Sequence, residues 1–314
     1  MNKAIPKKLL APVDGSSQGL KALDYTGRMF AADAAMQIKV VYVVPPLPPM
    51  LVQEANRDRD TAKMLEKMER RHVRTAELAI DTARERLLSL GFGEEQIKGI
   101  VHRKAAGVAR GICSLSESLN VDAVVMTTRG RGRMEAFFMG ATATKVADAN
   151  AVCPVWLIKG NASAGGALIG LDPSQCAMRA VDHAGFMLAG LEQPVILFYS
   201  RRNLLRFVPS EALEAVPGLT DVWQSRAGKE IAPVMQQARQ MLVQAGVAES
   251  RISAKIVEGS RSAGTDILKA AKEHACGTIV VGRHGETGHR TFPMGSVART
   301  VVQQCGDMAV WIVP

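Results

Sequence analysis

The chain has 314 residues, 47% apolar and 22% charged, with five cysteines and a formal net charge of +9. That composition excludes a fibre or a disordered chain and, at this length, favours two domains, each large enough to bury a core. Bases and acids alternate along residues 57–87 and do not gather in a tail, which argues for a solvated helix face and against nucleic acid as the partner.

The opening, MNKAIPKKLLAPVDGSS, is basic but lacks the apolar run of a secretory signal, and no later stretch is long enough to cross a bilayer. A cytoplasmic location without membrane contact is therefore expected. The first strand is predicted over 9–13 and is ended by Asp14; the second spans 38–44. The Pro-rich VVPPLPPM that follows reads as a rigid exit loop, with a polyproline docking segment as the alternative. From Arg57 to Leu90, Leu65, Met68, Ala76, Ile80, Ala83 and Leu87 recur at three- and four-residue steps, which predicts a long helix with one face on a sheet. His72 lies on the same stripe with no partner ligand at helical spacing, so it reads as a core or boundary histidine. Strands at 97–101, 121–126 and 155–158 complete the first half. The second half repeats the pattern, with strands at 167–171, 195–199, 252–257, 278–281 and 310–313. Its mixed segment 201–226 is a candidate cover over the strand ends. Short β-rich runs alternating with helical patterns indicate βαβ units around a parallel sheet.

The halves also share residues. KKLLAPVDGS resembles GALIGLDPS, NVDAVVMTTRGRG resembles ACGTIVVGRHGE, and CPVWLIK resembles MAVWIVP, in the same order. The expected fold is thus α/β: two repeated doubly wound domains, each a five-stranded parallel sheet flanked by helices. The first domain is expected over 1–159, a small-residue linker over 160–166 and the second domain over 167–314. Cys113, Cys153, Cys176, Cys276 and Cys305 form no C-x-x-C pair and read as reduced small hydrophobes.

In doubly wound sheets ligands bind beyond the carboxyl ends of the strands, where strand order reverses. Asp172 follows the first strand of the second half, and the stretch VVGRHGETGHRTFPMGS follows its fourth. Gly282 can let the chain turn, Gly285 can let backbone N–H groups approach an anion, and Gly295-Ser296 opens a helix whose first N–H groups lack partners. Ser296 can cap that helix and donate to a phosphate, while Asp172 can accept from a ribose hydroxyl or an adenine amine. A loop shaped by its glycines, with no ligand, is the competing reading. No Walker lysine is present; Arg283, His284, His289 and Arg290 either substitute for it or form a solvated basic loop.

These residues resemble the universal stress protein family, whose ATP-binding branch carries Gly-x2-Gly-x9-Gly-Ser/Thr after the fourth strand and an aspartate after the first. The second half matches at Gly282, Gly285, Gly295 and Ser296, with Asp172 as the aspartate. The resemblance implies ATP, with or without magnesium, at the switch point, held by Asp172, Tyr199, Gly282, Arg283, Gly285, Gly295, Ser296 and Val297. It also implies a stress-linked regulatory role, domains paired through their fifth strands, an unknown protein partner and a homodimer as a further assembly. Trp156 and Trp311 are candidates for the seam between fifth strands, or plain core. In the first half Asp14, Val43, Gly130 and Gly140 are the weaker candidates, because Thr127 replaces the first glycine and Ala141 the Ser/Thr. Weak or absent nucleotide binding is expected there. Phe198 and Tyr199, where an aliphatic residue usually borders adenine, either stack on the base or block it.

A ligand-free interaction module of the same fold is the second functional reading, and a slow ATP hydrolase the third. No paired carboxylates, H-E-x-x-H or G-x-S-x-G support efficient turnover, and His284 and His289 are the titrating groups nearest the loop.

Overall fold

A computed structural model describes residues 5–103, 106–128, 140–150, 152–201, 208, 210–258, 262–286 and 294–314. The chain divides into two compact units, Met1–Ile158 and Lys159–Pro314. The first contains β1 (Lys7–Pro12), α1 (Ser17–Phe30), β2 (Met36–Val43), α2 (Pro49–Ala55), α3 (Arg59–Ser89), β3 (Ile97–His102), α4 (Val108–Ser118), β4 (Ala123–Thr127), α5 (Ala141–Ala149) and β5 (Val155–Ile158). All pairings are parallel, in the order β3-β2-β1-β4-β5. The second contains β6 (Gly166–Gly170), α6 (Gln175–Leu188), β7 (Val195–Arg201), α7 (Ser210–Glu214), α8 (Leu219–Ala245), β8 (Ile252–Glu258), α9 (Ala263–Glu273), β9 (Cys276–Gly282), α10 (Ser296–Gln304) and β10 (Ala309–Val313). Its parallel order, β8-β7-β6-β9-β10, repeats the first. In each unit strand order therefore reverses beside the first strand, at its border with the fourth.

All ten predicted strands are present, and their ends differ from the expected ones by at most two residues. Their cores repeat as well. The α1 run Asp24-Tyr25-Thr26-Gly27 corresponds to Asp182-His183-Ala184-Gly185 of α6. A Cβ at Gly27 would lie 2.8 Å from the Leu90 Cβ, and one at Gly185 2.9 Å from the Ala245 Cβ, so each glycine lets the first helix close on the end of the long one. Trp156 is fully buried and stacks on Phe30, ring centroids 5.7 Å apart. Trp311, also fully buried, meets the edge of His183 at 5.7 Å. Each tryptophan thus meets a ring from the first helix of its own unit.

Differences from the expected elements have physical causes. The Pro-rich exit runs into α2, which begins on Pro49, a residue suited to the first helical turn because its missing N–H would be unpaired there. In α3, Asp58 caps the start by accepting from the Thr61 N–H at 2.7 Å. Only Ala76, Ala79, Ala83 and Leu87 of this helix are buried, while Leu65 and Met68 stay half-exposed. A 31-residue helix runs about 46 Å, twice the length of a six- to eight-residue strand, so half of it outlasts the sheet. His72 is a boundary residue. Of segment 201–226, residues 202–207 and 209 lie outside the described residues; the remainder supplies the end of β7, α7 and the start of α8. The five cysteines are free thiols, with Cys153, Cys276 and Cys305 buried and Cys113 and Cys176 half-buried. Burial pushes Cys153 up to about 12 and Cys276 to about 11, which keeps both as inert thiols.

Burial holds the imidazole of His183 neutral, pushing its pKa down to about 3 from 6.5. The unfolded chain takes up this proton near pH 6.5 and the folded chain does not, so the stability contribution is complete above pH 6.5 and is lost as pH falls toward 3. Between pH 7 and pH 5 the loss attributable to this group is about 2 kcal/mol. Urea unfolding at the two pH values is expected to show a difference smaller by that amount in His183→Leu; equal differences would contradict it.

Candidate nucleotide site

Each unit's first strand ends in the same hydrogen-bonded corner. Asp14 Oδ1 accepts from the Ser16 N–H at 2.9 Å and from the Ser16 hydroxyl at 2.6 Å, and the Ser16 Oγ accepts from the Gly19 N–H at the start of α1. In the second unit Asp172 Oδ1 accepts from the Ser174 N–H at 3.0 Å, and the Ser174 Oγ caps α6 by accepting from the Ala177 N–H at 3.1 Å. The turn chemistry of an Asp-x-Ser run thus fixes the aspartate at the strand end and starts the helix.

The second unit adds a tie across the switch point. Asp172 Oδ2 accepts from the Glu286 N–H at 3.1 Å, and the Ser174 hydroxyl donates to the His284 carbonyl at 3.5 Å, so the end of β6 holds the chain leaving β9. A Cβ at Gly285 would sit 2.6 Å from Asp172 Oδ2. At Gly282 a Cβ would lie 2.7 Å from the Cys176 carbonyl carbon and 2.9 Å from the Ala177 nitrogen, inside the first turn of α6. Neither glycine has a positive φ. They are required for close approach, Gly282 for strand against helix and Gly285 for loop against carboxylate, and the expectation that Gly282 serves a sharp turn gives way to that.

Gly295 returns the chain to the same place. Its N–H donates to the Arg283 carbonyl at 2.9 Å, and a Cβ there would lie 3.1 Å from that oxygen. The residue is the N-cap of α10 and supplies no side-chain cap. Ser296 is the first helical residue, so the expectation that it caps the helix is corrected: its exposed hydroxyl stands beside uncapped first-turn N–H groups. Val297 follows, half-exposed. Arg283 is buried, 7% exposed, and its N–H donates to the Val313 carbonyl, so the solvated basic loop does not include it. His289 and Arg290 lie outside the described residues. Phe198 is 1% exposed and pairs in register with Gly170, a core position; Tyr199 is half-buried near the end of β7.

The first unit keeps part of this. Gly140 caps α5 and its N–H donates to the Thr128 carbonyl at 2.6 Å, the counterpart of the Gly295 bond. Val43 is buried at the end of β2. Thr127 stands at the place of Gly282 and Ala141 at that of Ser296, and Gly130 lies outside the described residues.

The profile of the universal stress protein family matches residues 6–159 and again 167–314. The chain belongs to this family. A universal stress protein from Archaeoglobus fulgidus DSM 4304 shares its fold at a TM-score of 0.67 and 16% identity, over 98% of this chain and 97% of that one. A functionally unknown protein from Pseudomonas aeruginosa PAO1 matches at a TM-score of 0.53 and 13% identity, over 98% and 92%. None of the curated proteins matches the chain. As a tandem universal stress protein it carries two copies of one fold, and the second copy alone has a glycine at the end of its fourth strand and a serine at the start of the helix that follows.

Sequence reasoning missed three participants in the site: Ser174, the Glu286 N–H and the first turn of α6. Ser174 had a signal, since Asp-x-Ser occurs in both halves at the same step. The other two are backbone contacts, which leave no mark on residue type. Among the described residues no group of three His, Cys, Asp or Glu side chains stands together, and no helix is long and apolar enough to cross a membrane.

Proposed function

We propose that this tandem universal stress protein binds ATP in its second unit and acts as a nucleotide-dependent regulator of the stress response. The observation that carries the proposal is Asp172, held by two backbone N–H groups against a glycine that leaves no room for a Cβ, beside the uncapped start of α10. Each carboxylate oxygen retains a lone pair for a ribose hydroxyl or an adenine amine. The Ser296 hydroxyl and the N–H groups of Ser296 and Val297 form a donor set suited to phosphate oxygens, and the helix start adds partial positive charge. Tyr199 offers an aromatic face for the base. Bound ATP, with or without magnesium, would add phosphate charge that these donors offset. No residue is assigned a catalytic role.

In the first unit the Ala141 replacement removes a donor, and the reading there is an interaction unit with weak or no nucleotide. A protein partner, pairing of the units through their fifth strands, a homodimer and a cytoplasmic location belong to the same proposal. Its test is equilibrium binding of ATP to two variants. Asp172→Ala is expected to weaken binding at least tenfold, about 1.4 kcal/mol, while Asp14→Ala leaves it unchanged. The reverse pattern would move the site to the first unit.

A further inference from the structure

Three lysines of the first unit lie on one face of its sheet, toward the amino ends of the strands and opposite the end that carries Asp14. Strand register places them. Leu10 pairs with Lys39 and Lys39 with Lys98, so Lys39 and Lys98 are direct cross-strand neighbours with Cα atoms roughly 4.8 Å apart. Lys8 pairs with Gln37, two residues before Lys39, which puts Lys8 on the diagonal at roughly 7–8 Å. Gln37 and Lys98 are exposed, Lys8 and Lys39 half-buried, and the patch opens to solvent.

The neighbouring Lys7, on the other face, shows what a structural lysine looks like in this fold: it is buried and paired with Asp33 at 2.7 Å. The cluster is arranged differently. Asp122, the acid beside it, commits Oδ2 to the Lys8 backbone N–H at 2.6 Å. Burial, then the charges of Lys8 and Lys98, lower the pKa of Lys39, and the opposing pull of Asp122 is the smallest of the four effects. With three ammonium groups against the one carboxylate of Asp122, the cluster therefore keeps a net positive charge that costs the folded state energy.

The fold does not demand this charge. In the second unit Leu168 takes the place of Leu10, four residues before the strand-end aspartate, and pairs with Ile196, which pairs with Ser253. The residue six before that aspartate is Gly166. The positions of Lys8, Lys39 and Lys98 are thus filled by Gly166, Ile196 and Ser253, all neutral.

We propose that Lys8, Lys39 and Lys98, with Gln37 between them, form a binding site for a small multivalent phosphate anion on the amino-end face of the first unit's sheet. Three ammonium groups offer nine N–H donors as mobile point charges, a set that fits several phosphate oxygens without fixed geometry.

Titration calorimetry with inorganic pyrophosphate at low salt tests it on the whole chain and on three variants. Wild type is expected to bind, and Lys39→Met and Lys98→Gln each to weaken binding at least tenfold. Lys269→Gln, at an exposed lysine of the second unit outside the candidate nucleotide site, is expected to leave it unchanged. Lys39→Met is also expected to raise the thermal midpoint without anion, because it removes a crowded charge; a lower midpoint would contradict the repulsion on which the site rests. Equal pyrophosphate affinity in wild type, Lys39→Met and Lys98→Gln, an equal loss in Lys269→Gln, or no binding by wild type would overturn the proposal.

Discussion

Gly285→Val is expected to abolish nucleotide retention by this chain while leaving both units folded. The residue is exposed, in the loop after β9, and its backbone conformation is one that valine can adopt. What valine lacks is room: a Cβ would stand 2.6 Å from Asp172 Oδ2, closer than such atoms pack, so either the carboxylate or the loop has to move. Moving the carboxylate breaks its bond to the Glu286 N–H and releases the tie between the ends of β6 and β9. The expected loss of ATP affinity is at least a hundredfold, about 2.7 kcal/mol, with a stability change below about 1 kcal/mol, as befits a loop position. Unchanged ATP binding would remove Gly285 and Asp172 from the site.

Gly282→Val is expected to do the opposite in kind: it should unfold the second unit more readily before it says anything about ligand. Here the added atoms would meet the backbone of Cys176 and Ala177 at 2.7–2.9 Å, and backbone at a helix start cannot yield as a side-chain tip can. Forcing atoms into such a contact costs about 3 kcal/mol, the upper end of the usual range for overpacking. The first unit already carries Thr127 at the corresponding place, so its helix start accommodates a Cβ, and Thr127→Gly should cost no more than a glycine in a strand normally does, about 1 kcal/mol. Urea unfolding of the two variants distinguishes these cases; equal effects would mean that the close packing of β9 on α6 is not a stability determinant.

The ten strands were legible because parallel strands buried on both faces read as short apolar runs, and the repeat made each half a check on the other. Asp14 and Asp172 were legible as strand-ending residues, and the glycine spacing as a motif. Periodicity could not tell where the sheet beneath α3 ends, so Leu65 and Met68 looked like core although the helix outlasts the strands. Pro49 concealed α2, since a proline that opens a helix looks the same in sequence as one that prevents it. At the site, residue type named the glycines but not their purpose: a small residue demanded by a neighbour's backbone is identical on paper to one demanded by φ. Ser296 was misplaced by one position, and a one-residue shift decides whether a hydroxyl caps a helix or stands free beside it.

The central claim is one nucleotide per chain, held by the second unit. Its most direct test is to denature the purified protein in acid, with no nucleotide ever added, and to identify and count the adenine compounds released by chromatography. The account predicts ATP at about one per chain for the wild type, from the single complete motif. Two per chain would contradict the reading of Thr127 and Ala141, and none released, followed by no binding of added ATP, would contradict the nucleotide site itself.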